Sequence, residues 1–193
     1  YEKLDVDIDY KRRSYPLIET ILQANAFAAL KEDGSVVTWG KQGHGGDSSS
    51  VVSELSSGVV EIFSNIKAFA ALKEDGSVIT WGNEWTGGDS SSVVSELSSG
   101  VTEIFSSCGA FAALKEDGSV VTWGDELYGG DSSGMASELS TGVVKIFSNS
   151  LSFAALKDDG SVITWGDKRY GGDSSRVSLK LSSGVAEIFP NSL

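Results

Sequence analysis

The sequence predicts an all-β repeat protein of four 42-residue units, each a three-strand antiparallel meander followed by a short helix or an outer strand. Three observations predict it. The stretch AFAALKEDGSVVTWG over residues 26–40 returns over 68–82, 110–124 and 152–166, so that Trp39, Trp81, Trp123 and Trp165 stand 42 residues apart, as do Phe27, Phe69, Phe111 and Phe153. Every copy carries Asp-Gly between two strand-like runs. Every copy is also followed by a short β-branched run such as Val59-Val60-Glu61-Ile62-Phe63. A period in this range is the mark of a propeller, a solenoid or an array, whose single unit cannot bury its apolar face alone. Residues 17–193 are therefore expected to form one domain, preceded by an N-terminal arm over 1–16.

Within a unit the first strand alternates, with Glu61, Glu103, Lys145 and Glu187 at the solvent-facing position. Residues 17–21 line up with it 42 residues earlier, and open the series. The second strand, Ala68-Phe69-Ala70-Ala71-Leu72, is apolar on both faces, as in a strand covered on both sides. Asp75-Gly76 predicts a hairpin whose two-residue turn has positive φ at both central positions. Ser77-Val78-Ile79-Thr80-Trp81 is the third strand. After Gly-Gly-Asp-Ser-Ser, the spacing of Val51, Val52 and Leu55 predicts a helix of about two turns, capped by Asp47 or Ser48 and ended by Gly58; an outer strand is the alternative. The single-strand motif stands at both ends of the series, five copies for four hairpins, which favours an open arc or a segment lying on a partner over a closed four-unit ring.

Charge narrows the function classes. With 27 acidic against 15 basic residues the net charge is −12, and nucleic acid is not an expected partner, because phosphate recognition needs clustered Lys and Arg. No apolar run reaches the ~18 residues of a membrane span. Cys108 is the sole cysteine, so no intrachain disulfide forms; it shares its repeat position with Ile66 and Ser150 and reads as a small filler. A first residue of Tyr rather than Met is expected of a processed or partial chain, and suits an organellar subunit whose targeting segment is gone.

No catalytic, cofactor or metal constellation emerges. His44 is the only histidine and lacks the second ligand that a metal site needs. The aspartates of Gly-Gly-Asp (Asp47, Asp89, Asp131, Asp173) read as caps rather than cation ligands, and Asp33, Asp75, Asp117 and Asp159 as turn residues. The Trp-Gly tryptophans read as core rather than a sugar-binding row. The variable residues between Trp-Gly and Gly-Gly-Asp carry the candidate contacts: Trp85, Leu127, Tyr128, Arg169, Tyr170 and His44. Variation confined to one loop maps to one face of a repeat array, and these are residue types of interface anchors.

The string Phe-Ala-Ala-Leu-Lys-x-Asp-Gly-Ser-Val-x-Thr-Trp-Gly with its later Gly pair resembles the RCC1 (regulator of chromosome condensation) repeat, across nearly all of residues 17–193. The resemblance implies an RCC1-like β-propeller or partial propeller of a divergent, short-repeat branch. The units are shorter than usual between Gly-Gly-Asp and Gly-Val-Val, and number four where the family has seven blades. Proteins of that family act as exchange factors for a small GTPase, as chromatin binders or as recognition domains. No insertion here is long enough for the exchange wedge, and the acidic charge opposes chromatin binding. The expectation is a non-enzymatic protein-interaction module or accessory subunit with other protein subunits as partners and no cofactor or small-molecule ligand. A tachylectin-like carbohydrate-binding propeller is the alternative.

Overall fold

Residues 25–191 are described by the structure, a computed structural model. The expected arm over 1–16 and the strand over 17–21 lie outside the described residues.

Each repeat contributes one hairpin: β1 (Ala26–Leu30) with β2 (Val36–Gly40), β4 (Ala68–Lys73) with β5 (Val78–Gly82), β7 (Ala110–Lys115) with β8 (Val120–Gly124), and β10 (Ser152–Lys157) with β11 (Val162–Gly166). In the last three a further antiparallel strand pairs with the apolar one, β3 (Val59–Ser64), β6 (Val101–Ser106) and β9 (Val143–Ser148), giving the expected meander. A register shift between Val59 and Glu61 buries Val59 and turns Val60 and Glu61 both outward. The outward position of Glu61, Glu103 and Lys145 is as expected. Glu187 is exposed as well, but residues 185–191 form no strand, so the expected fifth copy of the single strand is not made, with no following hairpin among the described residues to pair with it.

The hairpin turn differs from the two-residue form. Lys73 N–H donates to the Ser77 carbonyl and Gly76 N–H to the Lys73 carbonyl, both at 2.9 Å, so Glu74, Asp75 and Gly76 form a three-residue loop. Only Gly76 takes a left-handed φ, of 75°. Asp75 stays right-handed because its Oδ1 accepts from Ser77 N–H at 3.0 Å and from Ser77 Oγ at 2.6 Å. A right-handed turn closed by a left-handed glycine matches strand twist as well as the shorter form does.

The sheets stack face to face. In register, Phe69 sits opposite Trp81, and the rings stack at 5.2 Å and 11°. This aromatic face, with Ala71, packs against Ala26, Ala28 and Val36 of the preceding repeat, under Leu55. The opposite face, Ala68, Ala70, Leu72 and Val78, receives Phe111, Ala113 and Trp123 of the following one. The second strand is thus buried on both faces in the inner sheets, as its composition predicts. Alanines on the receiving face let the aromatic layer approach closely. The result is an all-β propeller-type array.

In the fourth repeat the segment after Gly-Gly-Asp is a two-turn helix of 3-10 form, Ser175–Lys180. In the first three repeats it is neither the expected two-turn helix nor the outer strand. It forms short 3-10 turns, Ser49–Val51 then Glu54–Ser56 in the first repeat, and Ser91–Val93 or Ser133–Met135 in the next two. Leu55, Leu97 and Leu139 drop into the core from it. The Leu97 carbonyl accepts from Val78 N–H at 2.9 Å, so one bond ties this segment to the edge of β5 where an outer strand would lie. The serines explain the short turns. Ser56 and Ser98 return their hydroxyls to the carbonyls of Ser53 and Ser95, at 2.6 and 2.7 Å, competing with a continuing helix.

The array does not close on itself among the described residues. Phe27 and Trp39 of the first repeat are 52% and 51% exposed, against 1% and 4% for Phe153 and Trp165.

Candidate functional site: a rim of variable turns around an axial depression

The four variable loops share one backbone. Each is a 3-10 turn, Gln42–His44, Glu84–Thr86, Glu126–Tyr128 and Lys168–Tyr170, ended by a glycine with φ between 91° and 103°. Sequence variation hides this regularity, and the following glycine is its only signal. The turns are anchored to the loops joining the first and second strands. Asn65 Nδ2 donates to the Thr86 carbonyl at 2.6 Å, Ser107 Oγ to that of Tyr128 at 2.8 Å, and Asn149 Nδ2 to that of Tyr170 at 2.9 Å. Asn83, Asp125 and Asp167 add N–H bonds of 2.9 to 3.0 Å to Lys67, Gly109 and Leu151.

Two columns of side chains result. The middle residue of the turn is Gly43 in the first repeat and an outward side chain in the other three, with Trp85 73% and Leu127 69% exposed. Arg169, in the same column, makes a 2.7 Å ion pair with Asp167 and lies 5.5 Å from the Tyr170 ring centre. The guanidinium and the Arg169 N–H hold the Asp167 carboxyl below the usual carboxylate range. The last residue of each turn lies closer in. Thr86 is buried, while His44 and Tyr128 are half-buried and Tyr170 stays exposed. The expected contacts therefore divide: Trp85, Leu127, Arg169 and Tyr170 form an exposed rim, His44 lines the depression inside it, and Tyr128 packs beside Gly109 against the core.

Inside the rim is an open depression of about 510 Å³, reached by His44, Asn65, Ser107, Cys108, Asn149 and Ser150. Its floor is stitched from repeat to repeat. Cys108 N–H donates to the Ser150 carbonyl at 2.9 Å and Ser106 Oγ to the Ser64 carbonyl at 2.9 Å. Burial pushes the His44 imidazole down, with help from Lys41 and Lys67, so it is neutral at physiological pH. Burial raises the Cys108 thiol, which keeps it protonated rather than nucleophilic.

The remaining expectations resolve locally. Asp47, Asp89, Asp131 and Asp173 each accept from the N–H two residues on, at 2.8 to 2.9 Å, so they cap the serine-rich turns. The tryptophans of the last three repeats are buried, each indole N–H donating at 3.1 Å to a glycine carbonyl of the preceding repeat. They form no sugar-facing row. No helix of the described residues is long and apolar enough to cross a membrane.

No protein-family model and no curated relative matches the chain. Solved structures with a similar arrangement include Prp20p of Saccharomyces cerevisiae, the yeast RCC1, at 18% identity and a TM-score of 0.47, covering 76% of this chain and 42% of that one. The ectodomain of the Physcomitrella patens receptor kinase CR4 matches at 18% identity and 0.46, covering 75% and 39%. The computationally designed Ika8 protein matches at 19% and 0.42, covering 88% and 51%. The chain thus spans about half or less of each of these structures.

Proposed function

We propose that this chain is a non-enzymatic protein-interaction module, an accessory subunit that docks into a larger protein assembly through the rim of its variable turns. One observation carries the reading: Trp85, Leu127 and Arg169 occupy the same position on near-identical backbones, and all three are exposed. A scaffold that repeats its caps and core while varying the outward position, Gly43, Trp85, Leu127 and Arg169 in turn, presents a surface for recognition in its last three units. Tryptophan and arginine are among the residues that dominate binding energy at protein interfaces. The test is the native mass of the chain isolated from its source, with mass spectrometry of its companions, repeated with Trp85→Ala/Leu127→Ala. Companions of fixed stoichiometry, lost in the double variant, support the reading. Wild type free of any other protein overturns it. Glycan-array binding that Trp85→Ala and Tyr170→Ala weaken would replace it by a lectin.

A further inference from the structure

We propose that copies of this chain associate head to tail, the fourth repeat of one copy covering the exposed aromatic face of the first repeat of another. The chain itself carries the template for this contact three times. At each internal junction a glycine-ended turn seats on the Phe–Trp pair of the next sheet, and the indole N–H reaches that glycine's carbonyl at 3.1 Å: Trp81 to Gly45, Trp123 to Gly87, Trp165 to Gly129. The fit is close, since a Cβ on Gly45 would stand 2.5 Å from the Phe69 ring.

Both halves of a fourth such junction remain, one at each end. At the first repeat Phe27 and Trp39 stack at 5.3 Å as in the other sheets, yet about half of each side chain faces solvent, along with Val37 at 51%. At the last repeat the turn Lys168–Tyr170 and Gly171, φ 103°, keep the geometry of the earlier turns, and a Cβ on Gly171 would meet nothing nearer than 3.4 Å. Ala154, in the receiving column of Ala70 and Ala112, is only partly buried, where its two counterparts are sealed by the next aromatic layer. Ser152, Leu156 and Val162 of the last repeat are already buried, so the surface left open there is the Gly171 turn with Ala154. That turn and the Phe27–Trp39 pair keep the shape and hydrogen-bonding sense of the three junctions already formed. The occupant this fits is a second copy. Such a contact joins unlike surfaces, so it propagates into a ring or a filament rather than a two-fold dimer.

The experiment uses the full chain in sedimentation velocity over a concentration series, with Trp39→Ser to damage the head and Ala154→Lys to damage the tail. Wild type is expected to sediment as multiples of 20.3 kDa that grow with concentration. Each variant alone is expected to be monomeric, and their equimolar mixture to give a heterodimer, because one intact head then meets one intact tail. Trp85→Ala is expected to leave association unchanged, which separates this contact from the rim. Should either variant lose its wild-type circular dichroism, Phe27→Ser and Gly171→Trp replace them. A monomeric wild type at every concentration, a variant that self-associates, or a mixture that stays monomeric overturns the proposal.

Discussion

The indole N–H of Trp81 reaches back 36 residues to the carbonyl of Gly45, at 3.1 Å, and so couples the core of one repeat to the variable turn of the one before. That carbonyl is available because Gly45 adopts φ 91° with no side chain between it and the Phe69 ring. Gly45→Ala is therefore expected to cost about 2–4 kcal/mol, combining about 1 for the left-handed backbone with about 1–3 for overpacking. Gly171→Ala meets no ring and is expected to cost only the backbone part, about 1 kcal/mol. Urea denaturation of both variants below the association range checks the difference. Equal costs would mean that the close approach is not what selects glycine.

Leu97 tests the serine-rich segment. Its side chain is 2% exposed and its carbonyl holds the edge of β5. Leu97→Ala is expected to destabilise by about 2–5 kcal/mol, as large-to-small core changes do. Val94→Ala, three residues away on a side chain 63% exposed, is expected to stay within about 0.5 kcal/mol. A small loss for Leu97 would make this segment a passive linker.

The repeat makes most of the fold legible in the sequence. The positions of β1 to β11, the doubly buried second strand and the outward Glu61 column follow from periodicity and composition, while the fifth single strand expected over 185–189 is not formed. Two local forms do not follow, for one physical reason. Short polar side chains settle them: Asp75 bonding Ser77 sets the hairpin turn, and Ser56 bonding Ser53 stops a helix after a 3-10 turn. The variable turns are harder to read, since their shared backbone depends on Asn65, Ser107 and Asn149, which lie 21 residues upstream in sequence. The exposed rim of Trp85 and Leu127 is visible as residue types, and its division from His44 and Tyr128 is not.

The turn aspartates give a pH dependence with a definite sign. In the folded chain Asp33 is lowered to about 2 by the Ser35 hydroxyl and N–H, and Asp75, Asp117 and Asp159 are lowered by the same pair of serine donors. Their unfolded value is about 3.9. A depressed folded pKa contributes stability that is fully present above the unfolded value and is lost as pH falls through the folded one. Stability is expected to hold from neutrality down to about pH 4 and to fall between about pH 4 and pH 2. Thermal melts across that range check it. An Asp33→Ala/Asp75→Ala/Asp117→Ala/Asp159→Ala variant should start lower at neutral pH and show a shallower acid decline.

Cys108 separates packing from reactivity. Its backbone continues the stitched floor to Ser150, and desolvation raises the thiol, with the Ser150 hydrogen bond opposing it only in part. Nucleophilic attack requires the thiolate, so burial and a raised pKa act together to slow it. Alkylation by iodoacetamide at pH 8 is expected to be slower in the native chain than in urea, and its pH profile to be displaced upward from that of a free thiol. Replacement by serine, the residue at the same position in the next repeat, is expected to leave the melting temperature nearly unchanged. A native thiol that reacts as fast as a free one near neutrality would show an activated nucleophile in the axial depression, and would reopen the question of chemistry there.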